Sequence, residues 1–191
     1  MKDEKTKAVI SLFDLTGAMV KPWAEAGYHT FQFDAQHPVN LSGQGRQYTI
    51  GGDALSLAVQ VQIARIMESY DVRIIFGFPP CQDLCITGNR WQKAKAEANP
   101  DYLAEAMELV YIARDIGELY NVPYMIENPI GLVSTLYRKP DHIFQPCHYG
   151  QYLPEDDTSP YPDIIPARDA YTKKTCLWTG NGFVMPESRP V

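Results

Sequence analysis

Two adjacent prolines, Pro79 and Pro80, separate a run of β-branched and aromatic residues from a cysteine. Val72-Arg73-Ile74-Ile75-Phe76 reads as a buried strand, and Gly77-Phe78-Pro79-Pro80-Cys81-Gln82 follows it. Each proline fixes φ and removes a backbone donor, so the chain leading to Cys81 is stiff. Cys81 therefore falls where a strand gives way to a loop, the place where open α/β sheets gather their chemistry. A stiff turn presenting one thiol suits a nucleophile. It equally suits a tight turn around a buried cysteine, since free cysteine is among the most buried residue types. The remainder of the chain has to separate these readings.

Lys7 to Phe13 reads as a first strand, Asp14-Leu15-Thr16-Gly17-Ala18 as a turn, and Met19 to Ala26 as a short helix closed by Gly27. Tyr28 to Phe33 is a second strand ending on Asp34. Strand, glycine-bearing turn, helix, strand and then an acid is the order of a nucleotide-binding unit, although one glycine specifies no particular cofactor. Asp34 stands where such folds place a carboxylate on a ribose, and an acid there is also simply well solvated. A short strand is expected near Tyr48-Thr49-Ile50, and Asp53 is expected to cap a helix from Ala54 to Tyr70.

Residues 82–99 form a long polar segment with Arg90 and Trp91, the kind of loop that compact domains keep for function. Asn99-Pro100 starts a helix from Asp101 to about Leu119. Its apolar residues recur at helical spacing and read as core. Val122 to Ile126 is a further strand that delivers Glu127-Asn128-Pro129 to the same sheet edge as Cys81. Gly131 to Tyr137 suits a helical turn, residues 150–168 an exposed acidic, proline-rich loop, and Cys176-Leu177-Trp178 a last short strand before an irregular tail. The order predicts one α/β domain over residues 1–191, with a doubly wound sheet.

Composition narrows the classes. Hydrophobic content of 45% and charged content of 21% are ordinary for a globular chain, and no run is apolar enough to span a bilayer. The polar N-terminal residues lead straight into a strand and do not resemble a signal peptide. Four cysteines without paired spacing read as reduced thiols in a cytosolic protein. Cys81, Cys85, Cys147 and His148 match no common zinc spacing, so no metal is expected. A net charge of −6 argues against a broad duplex-binding face.

Taken together, these motifs resemble the DNA (cytosine-5) methyltransferases, in particular the short kind of phages and prophages. Gly77-Phe78-Pro79-Pro80-Cys81-Gln82 is similar to the family's nucleophile motif and Glu127-Asn128 to its E-N motif. Ser11-Leu12-Phe13 with Gly17 is similar to its S-adenosylmethionine turn, F-x-G-x-G-G, but with Leu15 and Ala18 in place of two glycines. Gly52-Asp53 is similar to its G-D pair, and Pro129 replaces the commoner valine after Glu-Asn. Lys173-Lys174 stands in the region of its Q-x-R-x-R motif.

The resemblance implies a Rossmann-like doubly wound sheet of the class I S-adenosylmethionine-dependent methyltransferase type. It implies S-adenosyl-L-methionine as cofactor, held by Phe13, Gly17, Asp34, Asp53 and Pro79. Cys81 and Glu127 become the catalytic pair. Pro80, Gln82, Arg90, Asn128, Lys173 and Lys174 become contacts to DNA bearing a flipped-out cytosine. The segment 82–100 becomes a lid. A location in the cytoplasm of a bacterial host follows. Members of the family carry a separate recognition domain that has no counterpart here, which implies help from a homodimer partner or a recognition subunit. Two other readings stay open: the same chemistry on a free cytosine nucleotide such as dCMP or on another nucleic acid, and a non-catalytic cofactor-binding partner subunit.

Overall fold

The computed structural model describes residues 5–159 and 162–191. Met1 to Glu4 of the expected N-terminal segment, and Pro160 and Tyr161 of the acidic loop, lie outside the described residues. The sheet has eight strands in the order β3-β4-β2-β1-β5-β6-β8-β7. They are β1 (Lys7–Leu12), β2 (His29–Asp34), β3 (Ser42–Gln44), β4 (Gln47–Gly51), β5 (Asp71–Gly77), β6 (Tyr124–Pro129), β7 (His142–Phe144) and β8 (Thr175–Gly180). The central five, β4-β2-β1-β5-β6, are mutually parallel, whereas β3 and β8 run antiparallel to their neighbours. The result is a mixed α/β fold with one mostly parallel sheet flanked by helices, compatible with a Rossmann-like arrangement.

Strand alternation divides the core into two faces. Ile10 and Leu12 of β1 with Phe31 and Phe33 of β2 meet Val59, Ile63 and Ile66 of α2 (Leu57–Ser69) and Val110 and Ala113 of α4 (Tyr102–Tyr120). Val9, Ile74, Phe76, Met125 and Leu177 face the other way, against Val20 and Trp23 near α1 (Lys21–Glu25). That second face is thinly covered, because α1 has five residues and buries none of them. Two further short helices, α3 (Gln92–Ala98) and α5 (Val133–Leu136), lie in connections. Among the described residues no helix is long and apolar enough to cross a membrane.

Several sequence expectations shift in detail. The first strand stops at Leu12 because Phe13 turns into the left-handed region at φ 60°. The first helix shrinks to one turn and a half. Ser56, not Asp53, caps α2: its hydroxyl accepts from Val59 N at 3.3 Å, while Asp53 caps the preceding turn by accepting from Leu55 N at 3.0 Å. The segment 82–99 is more ordered than a polar loop, containing a 3-10 turn over Ile86–Trp91 and then α3. Glu127 and Asn128 lie inside β6 rather than after it, because β8 pairs with them. Residues 151–156 are exposed, with 3-10 character over Gly150–Tyr152, and the tail folds back, Arg189 N and Val191 N donating to the carbonyls of His148 and Cys147.

β8 is the wedge that lets β6 extend past β5, and Trp178 is its anchor. The indole is fully buried, and its Nε1 donates to Arg138 O at 2.7 Å. Trp178→Ala is expected to cost about 3–5 kcal/mol. A differential scanning calorimetry trace should show the melting temperature falling by roughly 10 °C.

Candidate active site at the carboxyl edge

The parallel strands deliver their following residues to one edge. Leu12 of β1 is in register with Phe33 of β2 on one side and with Gly77 of β5 on the other, and Asp34 pairs with Gly51 of β4. Phe13, Gly52-Asp53 and Phe78-Pro79 are therefore the first residues beyond aligned strand ends, and Asp34 is the last residue of β2. Strand order reverses between β1 and β5, which makes a crevice there, the position where open α/β sheets bind ligands.

The turn after β1 is built around Asp14, which the sequence reading passed over. Its buried carboxylate accepts from Gly17 N at 2.7 Å and from Ser11 Oγ at 2.8 Å. His37 Nε2 lies 3.2 Å from the Asp14 carbonyl. Gly17 sits at φ +69°, and a Cβ there would meet the Gln32 amide at 2.5 Å. An aspartate three residues ahead of a glycine is a turn signal of the side-chain-to-backbone kind, so Asp14 was detectable in principle. Asp34 Oδ1 accepts from Gln36 N at 2.9 Å. Asp34 and Asp53 thus each spend one carboxylate oxygen on a local turn, with no partner among the described residues for the other.

The Cys81 loop is held from two sides. Phe78 N donates to Leu12 O at 3.0 Å, and the Asn128 amide donates to Pro79 O at 3.0 Å. Asn128 is 1% exposed, so its amide NH2 positions the proline turn; its Oδ1 has no partner among the described residues. Pro79 is buried; Pro80, Cys81 and Gln82 are exposed. After Cys81 the chain makes a helical turn, Leu84 N and Cys85 N both donating to Cys81 O. Cys85 then bridges to Gly131 in the loop after β6, where Leu132 N donates to Leu84 O at 2.7 Å.

Glu127 is partly buried, and its Oε1 finds no hydrogen-bond partner among the described residues. Burial pushes its carboxyl pKa up, and the Lys173 ammonium opposes the shift. The Cys81 thiol is also pushed up. Loss of hydration is the main cause, followed by Cys85 and the Glu127 carboxylate; its own backbone hydrogen bond and Lys173 pull the other way. Cys81, Glu127 and Lys173 are thus close enough to sense one another. Tyr171, which no motif marked, joins them: burial, Asp169 and Glu127 raise its pKa. Lys174 instead faces Cys176, whose thiol pKa burial and Glu127 raise and Lys174 lowers.

Arg90 and Trp91 are brought together, the guanidinium 5.1 Å from the indole centroid, and both are exposed. Lys95 of α3 reaches back to Gln82 O at 3.0 Å and to the Asp83 carboxylate, tying the candidate lid to the Cys81 loop. Among the described residues no group of three or more His, Cys, Asp or Glu side chains is arranged to hold a metal ion. Neither the family models nor the curated proteins compared with the chain give a match.

Because Glu127 contributes to the raised Cys81 pKa, removing its charge should lower it. In Glu127→Gln, the pH midpoint for iodoacetamide alkylation of Cys81 is expected to move down, and in Lys173→Ala up. Mass spectrometry of the Cys81 peptide across pH reads both.

The bridge between the two loops gives a second expectation. A Cβ on Gly131 would run into the Leu84 carbonyl, which is backbone and cannot rotate away. Gly131→Ala should therefore open the Leu84–Leu132 hydrogen bond, speeding hydrogen exchange at Leu132 by about tenfold or more.

Proposed function

We propose that the protein is a DNA (cytosine-5) methyltransferase of the class I, S-adenosylmethionine-dependent type, with Cys81 as nucleophile and Glu127 as its acid partner. The observation that carries the reading is the meeting of an exposed thiol and a partly buried, unpartnered carboxyl at the switch-point edge, beside the Gly17 turn. Nothing in the packing of β5 or β6 needs both groups.

The donor set at that edge fits the cofactor. Asp34 and Asp53 keep one carboxylate oxygen each for ribose hydroxyls and an adenine amino group, and Phe13 and Gly17 flank the turn below them. When bound there, S-adenosylmethionine supplies an electrophilic methyl group. Cytosine C5 is a weak nucleophile on its own. Addition of the Cys81 thiolate at C6 makes C5 enamine-like and able to take up that methyl. The addition builds negative charge at N3, and a Glu127 carboxyl that holds its proton can hydrogen-bond there. Loss of the C5 proton and elimination of Cys81 then release methylated cytosine and regenerate the thiol.

A raised thiol pKa means that Cys81 rests protonated, so its activation has to accompany substrate binding. A Glu127 that holds its proton to bond N3 carries no charge to hold the thiol up, and Lys173 remains to favour the thiolate. Asn128 serves by fixing the Pro79 carbonyl and with it the height of Cys81. Pro80, Gln82, Arg90 and Lys174 stand around the mouth as contacts to a flipped nucleotide, with α3 as the tethered lid.

The net charge of −6 and the exposed acids Glu155 and Asp156 favour a second reading, the same chemistry on a free nucleotide such as dCMP. Methyl-tritiated S-adenosylmethionine incubated with duplex DNA, single-stranded DNA and dCMP separates them. Label on DNA that vanishes in Cys81→Ser is the expected result. Label on dCMP alone moves the substrate to the nucleotide. Cofactor binding without label on any of the three, and without a covalent adduct to 5-fluorocytosine DNA, leaves a non-catalytic module.

A further inference from the structure

The face of the sheet opposite α2 carries a second site. The link between β2 and β4 contains no helix; residues 35–46 make only the short antiparallel strand β3. With α1 so brief, the sheet surface over β2 and β4 stays open beside it. Alternation puts Phe31, Phe33 and Ile50 on the α2 side, and Gln32 and Gln47 on this one. A cavity of about 710 Å3 lies there, bounded by the Leu15–Ala18 turn, α1 and the β3–β4 hairpin. Its size falls within the range of about 300–1,000 Å3 usual for small-molecule sites.

His37, Thr16 and Thr49 in the lining are hydrogen-bonded, and five other polar side chains there are unspent. Gln32 is only 6% exposed, and its amide, which makes no hydrogen bond among the described residues, is part of the cavity lining. An amide opening on a cavity offers a donor and an acceptor to whatever enters it. Gln44 and Gln47 add two more amides with no partner, and Lys21 and Arg46 two cations with no ion pair among the described residues. Glu25 is the one carboxylate in the lining. Amides pair a donor with an acceptor, as a base edge does, and the cations match a phosphate.

We propose that this cavity binds a nucleoside phosphate, with Arg46 and Lys21 on the phosphate and Gln32, Gln44 and Gln47 on the base. The ligand comes either free or as one unit of a strand. The site borders the Leu15–Ala18 turn of the proposed cofactor site, but neither Cys81 nor Glu127 is in its lining, and it stands whether or not that pair transfers a methyl group.

Isothermal titration calorimetry with the four 2′-deoxynucleoside monophosphates and inorganic phosphate, together with fluorescence anisotropy of a labelled single-stranded 12-mer, tests it. One saturating site per chain is expected for a mononucleotide or for the 12-mer, with phosphate alone about tenfold weaker or worse. Binding to the 12-mer only would assign the strand as the source. Lys21→Ala/Arg46→Ala changes two exposed side chains and should weaken binding by about tenfold or more, while the melting temperature and S-adenosylmethionine binding stay as in the wild type. Cys81→Ser/Glu127→Gln should leave it intact. The proposal falls if no probe saturates, if the double cation variant binds as well as wild type, if phosphate alone matches the nucleotides, or if Cys81→Ser/Glu127→Gln abolishes binding.

Discussion

The hydrogen bond from the buried Asn128 amide to the Pro79 carbonyl ties two crossover units together. One partner ends a strand; the other begins the stiff turn after its neighbour. Antiparallel β8 makes this contact available, since its pairing holds Glu127 and Asn128 in strand conformation beyond the point where β5 has stopped. The position of Cys81 relative to Glu127 therefore depends on long-range pairing contributed by residues about fifty positions downstream. The Cys85–Gly131 bridge repeats the coupling one turn further on, backbone to backbone. The thiol and the carboxyl are fixed by the same lattice of hydrogen bonds rather than by contact with each other.

Much of this was legible from local pattern. The β-branched runs of β1 and β5, the apolar spacing of α4 and the convergence of Gly17, Cys81 and Glu127 on one edge follow from periodicity and from the crossover rule. What escaped depends on partners distant in the chain. Nothing near Glu127 announces that β8 will extend β6, so the pair was expected just past the strand. Asp53 looked like the cap of α2 until Ser56, three residues on, took that role. Tyr171 carries no motif at all; it reaches Glu127 only because β8 returns antiparallel beside β6. The ordered tail was likewise invisible, since its hydrogen bonds run to Cys147 and His148, forty residues upstream.

The two faces of the sheet illustrate how unequal cover shapes a small α/β chain. Two long helices seal one side with a continuous apolar core. The other side relies on a five-residue helix and a few aromatic residues, so its outer strands must be polar to tolerate water. Gln32 and Gln47 are the mark of that compromise. The Asp14 turn is shared between the faces: Gly17 contributes to the switch-point edge, and by lacking a Cβ it also leaves room for the Gln32 amide behind it.

Cysteine thiols that rest as thiolates are exposed to every peroxide and electrophile that diffuses past. Cys81 is open to solvent, but low hydration and the neighbouring carboxylate keep its proton on. Its reactivity toward oxidants is therefore held down mainly by partial loss of hydration, with the neighbouring carboxylate adding to it. A thiol kept protonated in this way reacts slowly with passing electrophiles without a lid being closed over it.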